Sequence, residues 1–321
     1  MVRGLLLLVI LLVLAGCSRQ GTPIVAAAPL EAPEVAQRSI ATAPVIPTQS
    51  WPTQTPLPTN TVAPVTQTPL PPTATPGPPP LRGGEAAPPL SGELAMVTYS
   101  LDLYRLDGAP PAAVVQQLGL DGEAAIENGS RLIGGTLSGR VAVRFEPPQS
   151  GECAIRGITR SDLRTIRLFY APDTDPNRMR GILAHELFHQ IQRDYYGERD
   201  HRKADVILLE GMAVWGTADY FRAEDGRALY QVRAKAAFDE GRLLPLTTSL
   251  EADCRTTTRN DIYNQWASFV EYLLATYDRD ALDVAYRSSS GRPAGSADWV
   301  AAYGKPLPVL EQEWITWLGQ Q

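Results

Sequence analysis

The residues with the clearest chemical potential are two histidines and a glutamate at positions 185 to 189. The segment His185-Glu186-Leu187-Phe188-His189 contains two of the chain's three histidines. On an α-helix, residues i and i+4 share a face, so both imidazoles can bind one metal ion. Glu186 lies beside the first histidine, where a carboxylate can take a proton from a water molecule on that metal. The spacing predicts a zinc site that activates water; the alternative is a helix whose histidines bind nothing.

The neighbouring residues predict the helix that this chemistry requires. Asp175 and Pro176 supply an N-cap and a proline at the first helical position. Tyr195-Tyr196-Gly197 offers a stop at the other end. Between these ends, apolar residues recur at helical spacing, namely Ile182, Leu183, Leu187, Phe188 and Ile191. We therefore expect a buried helix that carries the metal ligands on one side.

A catalytic zinc also needs a third protein ligand and an open position for water. Glu210 is the best candidate, because apolar residues surround this single carboxylate in the segment 205–215, where Asp205 can cap a second helix. Burial of an uncompensated carboxylate costs several kcal/mol, and a metal ion is a partner that offsets this cost. His201 is a weaker candidate, because its charged loop at 197–203 predicts a solvated side chain.

The first seventeen residues predict export and lipidation. A positively charged start at residues 1–3 precedes a leucine-rich run at 4–16, which is too short to span a bilayer and is typical of a signal peptide. The run ends in Leu14-Ala15-Gly16-Cys17, which resembles the lipobox of bacterial lipoproteins. That resemblance implies removal of residues 1–16 and acylation of Cys17 at the bacterial cell membrane. The alternative is an ordinary secretory signal with an incidental cysteine; both interpretations place the protein outside the cytoplasm.

A compositional boundary near residue 90 separates a linker from a domain. Residues 17–90 are rich in proline, threonine and alanine and nearly free of charge. Such a segment buries too little apolar surface to fold, so we expect a disordered, extended tether. Residues 91–321 have a globular composition and are expected to form the enzymatic domain. The net charge of −6 and the lack of a basic run argue against nucleic acid as a partner.

Two cysteines remain if Cys17 is acylated, and they are Cys153 and Cys254. In an oxidising compartment they can form a disulfide that closes a loop of about a hundred residues around the metal site, worth at most ~4–5 kcal/mol. Two buried thiols or zinc ligation are the alternatives. Ligation is the weakest of these, because the two residues lie far apart without a Cys-x-x-Cys motif.

The metal motif and its surroundings resemble the gluzincin metallopeptidases, specifically the peptidase MA-like group. The residues that carry the resemblance are His185-Glu-x-x-His189, twenty intervening residues and then Glu210-Gly-Met-Ala. The segment 263–273 is similar to the tyrosine-bearing helix of this group, and the segment 303–318 is similar to its closing helix. The resemblance implies a zinc peptidase with an α+β fold, in which a small sheet precedes a mainly α-helical zinc-binding part.

The resemblance also implies a role for each matching residue. His185, His189 and Glu210 would bind zinc, and Glu186 would be the general base that then carries the proton to the leaving amine. Tyr263 would donate its hydroxyl to the developing oxyanion, although a core tyrosine is the alternative. The expected substrate is a peptide or protein. A surface binding lipoprotein that keeps the fold without turnover is the alternative function.

Several features depart from the relatives or stay open. The chain lacks the Gly-x-Met-Glu-Asn segment that grips a free amino terminus in aminopeptidases, which favours cleavage within chains. Val214 stands where some relatives keep a carboxylate that orients a histidine, and Asp219 is a weak substitute.

The predicted strands are residues 94–99, 141–145 and 165–170; the last is either a substrate-binding edge strand or a core strand. The basic positions Arg156, Arg160, Arg164 and Arg167 could favour acidic substrates or could form a solvated face.

Overall fold

The strands and helices were assigned in a computed structural model that describes residue 87 and residues 89–106 and 110–321. The signal peptide, Cys17 and nearly all of the linker lie outside the described residues. The strands are Glu93–Val97 (β1), Leu101–Arg105 (β2), Val141–Glu146 (β3), Gly157–Arg160 (β4) and Thr165–Phe169 (β5). The helices are Ala112–Ile133 (α1), Pro176–Tyr196 (α2), Glu198–Lys203 (α3), Val206–Gly216 (α4), Leu229–Asp239 (α5), Thr256–Thr276 (α6), Arg279–Arg287 (α7), Trp299–Tyr303 (α8) and Leu307–Leu318 (α9). The α+β class is confirmed: the described residues form one small mixed sheet, with α1 between β2 and β3, and mainly helical segments follow it.

The sheet is mixed, and its strand order is β1-β2-β3-β5-β4. β2, β3 and β5 run parallel, whereas β1 and β4 pair antiparallel at the two edges. β5 therefore has a neighbour on each side, so the segment 165–170 is a core strand and not the edge strand. The sheet edge nearest α2 is β4. This strand was not predicted, because Gly-Ile-Thr-Arg has a single strongly apolar residue and no readable alternation.

Close packing of α1 and α2 against the sheet forms much of the core. Leu101 and Val143 of the sheet, Ile126 of α1 and Leu187 of α2 are almost fully buried. α1 runs for 22 residues, although its glycines weaken the helical pattern. Gly122 shows why a glycine is kept there: a Cβ at this position would lie 2.6 Å from a methyl group of Leu101.

The two helices that carry the candidate metal ligands begin at the predicted caps. The Asp175 side chain accepts a hydrogen bond from Asn177 N at 3.0 Å, with Pro176 at the first position of α2. Asp205 caps α4 through Ile207 N at 3.0 Å and also accepts from Ala297 N at 3.0 Å. Both helix starts are therefore held by short side-chain bonds, and Asp205 also fixes α4 to the segment that precedes α8.

Tight contact between α4 and α6 brings Tyr263 next to His185. A Cβ at Gly211 would lie 2.7 Å from the backbone oxygen of Trp266, so only glycine allows this approach without a shift. Trp266 itself is fully buried and donates from Nε1 to Leu246 O at 2.8 Å. Tyr263 lies about one turn before Trp266 on the same face of α6.

A disulfide joins the loop before β4 to the segment before α6. Cys153 and Cys254 are bonded, with Cα atoms 5.2 Å apart and a sequence separation of 101. Next to this bridge, Thr256 donates from its hydroxyl to Glu152 O at 2.9 Å. The two chain segments are therefore held together by covalent and hydrogen bonds. In the part of the chain that the structure describes, no helix is long and apolar enough to cross a membrane.

Candidate metal centre and catalytic cleft

Three side chains from two helices converge on one point. His185 and His189 lie one turn apart on α2, and their Nε2 atoms are 3.1 Å apart. Oε2 of Glu210, on α4, lies 3.2 Å from Nε2 of His185 and 3.4 Å from Nε2 of His189. The structure thus brings together the three residues that the sequence indicated as metal ligands. Two imidazole nitrogens and one carboxylate oxygen form a donor set that suits zinc and leaves a position for water.

The local electrostatics also fit a cation at this point. Burial alone would raise the pKa of Glu210, but the neighbouring His189 and His185 outweigh it and hold that pKa well below its usual range. Burial would likewise lower the pKa of His189, yet the Glu210 carboxylate raises it overall. The Glu210 carboxylate is therefore anionic, and its negative charge favours a cation at this point. A divalent ion held by these atoms would supply that charge.

Gln192 orients one of the two histidines. Its Oε1 atom lies 2.8 Å from Nδ1 of His189, and its Nε2 donates to the Leu209 backbone oxygen at 3.0 Å. An acceptor at Nδ1 keeps the proton there and leaves Nε2 free to bind a metal. Sequence reasoning missed Gln192, although its position three residues after His189 places it on the same helix side. Asp219, the weak candidate for this role, is exposed and pairs with Arg222.

Glu186 lies outside the triangle of ligand atoms and points towards β4. Its carboxylate Oε2 accepts a hydrogen bond from the Thr159 hydroxyl at 2.6 Å, and the residue is only 7% exposed. Gly157, two residues earlier on β4, passes so close that a Cβ there would lie 2.5 Å from Oε1 of Glu186. The edge strand therefore fixes a buried carboxylate beside the three convergent side chains. This is the arrangement that a general base for a metal-activated water requires.

Tyr263 borders the ligand cluster from the side of α6. Its ring stacks on the imidazole of His185, with centroids 6.3 Å apart and an interplanar angle of 16°. Burial raises the pKa of Tyr263 well above its ordinary value, and the nearby Glu210 carboxylate adds to the increase. The hydroxyl consequently keeps its proton at neutral pH and can act as a hydrogen-bond donor.

His201 is buried, so the expectation of a solvated histidine is wrong. Its Nδ1 lies 2.9 Å from the Tyr286 hydroxyl, and burial lowers its pKa to about 3. The charged residues around His201 suggested a solvated loop. They form instead the short helix α3, and His201 lies on the face of that helix that points inward. His201 is not among the three residues that converge as candidate metal ligands.

A cleft of about 1090 Å³ contains His185, His189, Glu210, Glu186, Tyr263 and the first three residues of β4. Arg156 lines this cleft, but the other three basic positions singled out in the sequence bind carboxylates: Arg160 pairs with Asp162, Arg164 with Asp194 and Arg167 with Glu146. Arg164 and Asp194 are both buried, so this pair belongs to the core of the fold. The four arginines do not form one shared basic face.

Comparison of the chain with protein-family models and with curated proteins finds no match in either. The chemical interpretation of the site consequently depends on the residues and their geometry. Those residues are the three convergent ligands, the carboxylate held by β4 and the tyrosine on α6.

Proposed function

We propose that this protein is a zinc metallopeptidase of the gluzincin type that hydrolyses peptide bonds within chains. The observation that carries the proposal is the convergence of two imidazole nitrogens and the Glu210 carboxylate within 4.8 Å, with a separate buried carboxylate beside them. A metal site that serves only structure is normally closed by a fourth protein ligand. In the described residues, the cluster contains three such ligands and opens into a large cleft, which supports a hydrolytic site.

The roles of the protein's own residues follow from their positions. When bound, zinc would polarise the scissile carbonyl and increase the acidity of a water molecule. Glu186 would take the proton that this water loses as the water oxygen bonds to the scissile carbonyl carbon, and would pass that proton to the amide nitrogen as the C–N bond breaks. Tyr263 donates its O–H to the carbonyl oxygen as negative charge develops there. Thr159 holds Glu186 in place, and Gln192 keeps His189 in the tautomer that presents Nε2.

The edge strand supplies a way to hold an extended substrate. β4 pairs with β5 on one side only, and Gly157, Ile158 and Thr159 line the cleft next to Glu186. An extended peptide can add to such an edge through backbone hydrogen bonds, which are independent of the peptide's sequence. This supports cleavage within chains, because no pocket for a substrate's amino terminus is required. The role that the sequence interpretation considered for residues 165–170 is thus proposed for residues 157–160.

The proposal includes a location outside the cytoplasm. The signal-like residues 1–16 and the lipobox-like Leu14-Ala15-Gly16-Cys17 support export and acylation of Cys17. The lipid bilayer would then be a partner of the chain's N-terminus, and residues 17–90 would separate the enzyme from the membrane.

The test measures zinc first and cleavage second. Purified protein is assayed for zinc per chain beside Glu210→Ala and the control Asp219→Ala, whose carboxylate lies in the cleft but binds Arg222. We expect one zinc in the wild type and the control, and weakened binding in Glu210→Ala. A mixed peptide library is then digested by the wild type and by Glu186→Gln, with products read by mass spectrometry.

The outcomes separate the possible functions. Cleavage by the wild type, and none by a Glu186→Gln variant that still binds zinc, is the expected result. A folded wild type that takes up no zinc would overturn the proposal. Zinc binding without cleavage in any library would favour the surface binding lipoprotein that has no turnover.

A further inference from the structure

The cleft is positively charged, although the whole chain carries a net charge of −6. Seven arginines line it against four carboxylates, an excess of three positive charges before any metal is counted. The carboxylates already have other partners or roles: Asp175 caps α2, Asp219 pairs with Arg222, and Glu186 and Glu210 belong to the proposed catalytic site. Charges of one sign within a concave surface reinforce each other's field, so this cleft attracts anions.

Most of these arginines have no internal counter-charge. Arg180 pairs with Asp121 and Arg222 with Asp219. The remaining five form no ion pair with a carboxylate of the described residues. They are Arg156, Arg178, Arg233, Arg259 and Arg292. Elsewhere on the described surface arginines commonly pair with a neighbouring carboxylate, as Arg227 does with Asp225. The unpaired cations are therefore concentrated in the cleft.

Arg259 is the member of this set that is held in place. It lies half-buried on α6, one turn before Tyr263. Its Nη2 donates to Cys254 O at 2.9 Å and its Nη1 to Ala154 O at 3.3 Å. Both acceptors belong to or adjoin the disulfide that joins the loop before β4 to α6. The guanidinium is thus fixed by neutral partners, which leave its charge and its other N–H donors available to a ligand.

The geometry points to a substrate class, and this inference rests on the proposed peptidase function. We propose that the cleft selects peptides that carry a carboxylate near the scissile bond and that Arg259 binds this carboxylate. Arg156, Arg178 and Arg233 are exposed and attract the acidic peptide over a longer range. A planar guanidinium suits a carboxylate because it can donate two parallel N–H bonds. Since Arg259 is already held by two carbonyls, it loses little conformational freedom when the ligand binds.

The test measures binding without turnover. Full-length Glu186→Gln protein loaded with zinc is titrated with fluorescent peptides that differ only in Glu, Gln or Lys at the positions around one central bond. We expect the Glu peptide to bind about tenfold or more tightly than the Gln peptide at low salt, with the difference shrinking as salt is added. Adding Arg259→Gln should remove most of this difference. Arg227→Gln, which removes an exposed arginine outside the cleft, should leave it unchanged.

Two further variants separate a fixed contact from general attraction. Arg259→Lys keeps the charge but loses the planar donor pair, so it should retain only part of the preference for Glu. Arg178→Gln combined with Arg233→Gln should slow association and reduce its salt dependence, while dissociation changes little. Thermal unfolding of each variant shows whether a loss of binding comes from a loss of folding.

The source of the carboxylate is tested by amidating the peptide's carboxyl terminus. A preference for Glu that persists after amidation assigns Arg259 to a side-chain carboxylate. A loss of affinity on amidation that is equal for the Glu and Gln peptides, and absent in Arg259→Gln, would instead assign Arg259 to the free terminal carboxylate. Equal binding of the Glu and Gln peptides, or an unchanged preference in Arg259→Gln, would overturn the inference. A protein that cleaves peptides without this preference would contradict the inference alone. A protein that prefers acidic peptides but cleaves none would contradict only the peptidase function.

Discussion

The backbone of Gly157 lies directly against the carboxylate of Glu186, so that a Cβ on this glycine would come within 2.5 Å of Oε1. Gly157→Ala should therefore displace the proposed base while leaving the metal ligands in place. A shift of about 1 Å at a reacting group can cost ~100-fold in rate, and we expect a loss of kcat of that order. The measurement is kcat on a cleaved peptide, beside zinc content. Gly291→Ala is the control, because its Cβ would meet only Pro293 at 3.4 Å. An unchanged kcat in Gly157→Ala would show that Glu186 can move without consequence.

Removal of the Gln192 amide should weaken metal binding. Gln192→Leu removes the acceptor at Nδ1 of His189, so the ring loses its fixed tautomer and orientation. Loss of such a partner typically costs about 10–100-fold in metal affinity. The measurement is zinc affinity in competition with a chelator. Gln190→Leu is a matched control, because Gln190 is equally buried on α2 but bonds to Asp194. Equal zinc affinities in the two variants would contradict the role of Gln192.

Loss of the Tyr263 hydroxyl should affect the rate more than binding. In Tyr263→Phe the ring can still stack on His185, but no O–H is available to the developing oxyanion. Removal of one such donor costs about 10²–10³ in kcat, so we expect that loss with nearly unchanged KM and zinc content. Tyr272→Phe is the control on the same helix, because its hydroxyl bonds to Glu313. A variant that loses stability but keeps kcat would make Tyr263 a core tyrosine.

The buried His201 should make the protein less stable in mild acid. Its pKa is lowered to about 3 by burial, whereas a histidine in an unfolded chain has a pKa of ~6.5. Below a pH of about 6.5, His201 binds a proton in the unfolded state but stays neutral in the folded state. The free energy of unfolding therefore falls as the pH drops from about 6.5 towards 3. The contribution lost between pH 7 and pH 5 is about 2 kcal/mol.

Urea unfolding of the wild type and His201→Leu at the two pH values measures this contribution. The variant leaves the Tyr286 hydroxyl without its partner, so it should be less stable than the wild type at pH 7. Its decrease between pH 7 and pH 5 should be smaller by about 2 kcal/mol. Protonation of the metal ligands affects both proteins equally and cancels in the difference. Parallel pH dependences would contradict a neutral, buried His201.

The sequence predicted those features that depend on residues close together in the chain. The i, i+4 spacing of His185 and His189 determines their shared helix face before any tertiary contact forms. The Asp175 and Asp205 caps are also local, and both helices begin where these residues predicted. β3 and β5 were recognisable because alternating or continuous apolar residues form them. A single carboxylate in an apolar helix was enough to indicate Glu210.

The tertiary structure decided what depends on packing between distant segments. β4 is a strand because it pairs with β5 and packs on Glu186, and its four residues alone carry no clear strand pattern. The burial of His201 requires Tyr286, which lies far along the chain on α7. Arg259 is held by carbonyls on both sides of the disulfide, and the role proposed for its charge depends on its position in the cleft. Local periodicity reveals which face of an element is apolar, whereas the partner of each polar side chain is set by the fold as a whole.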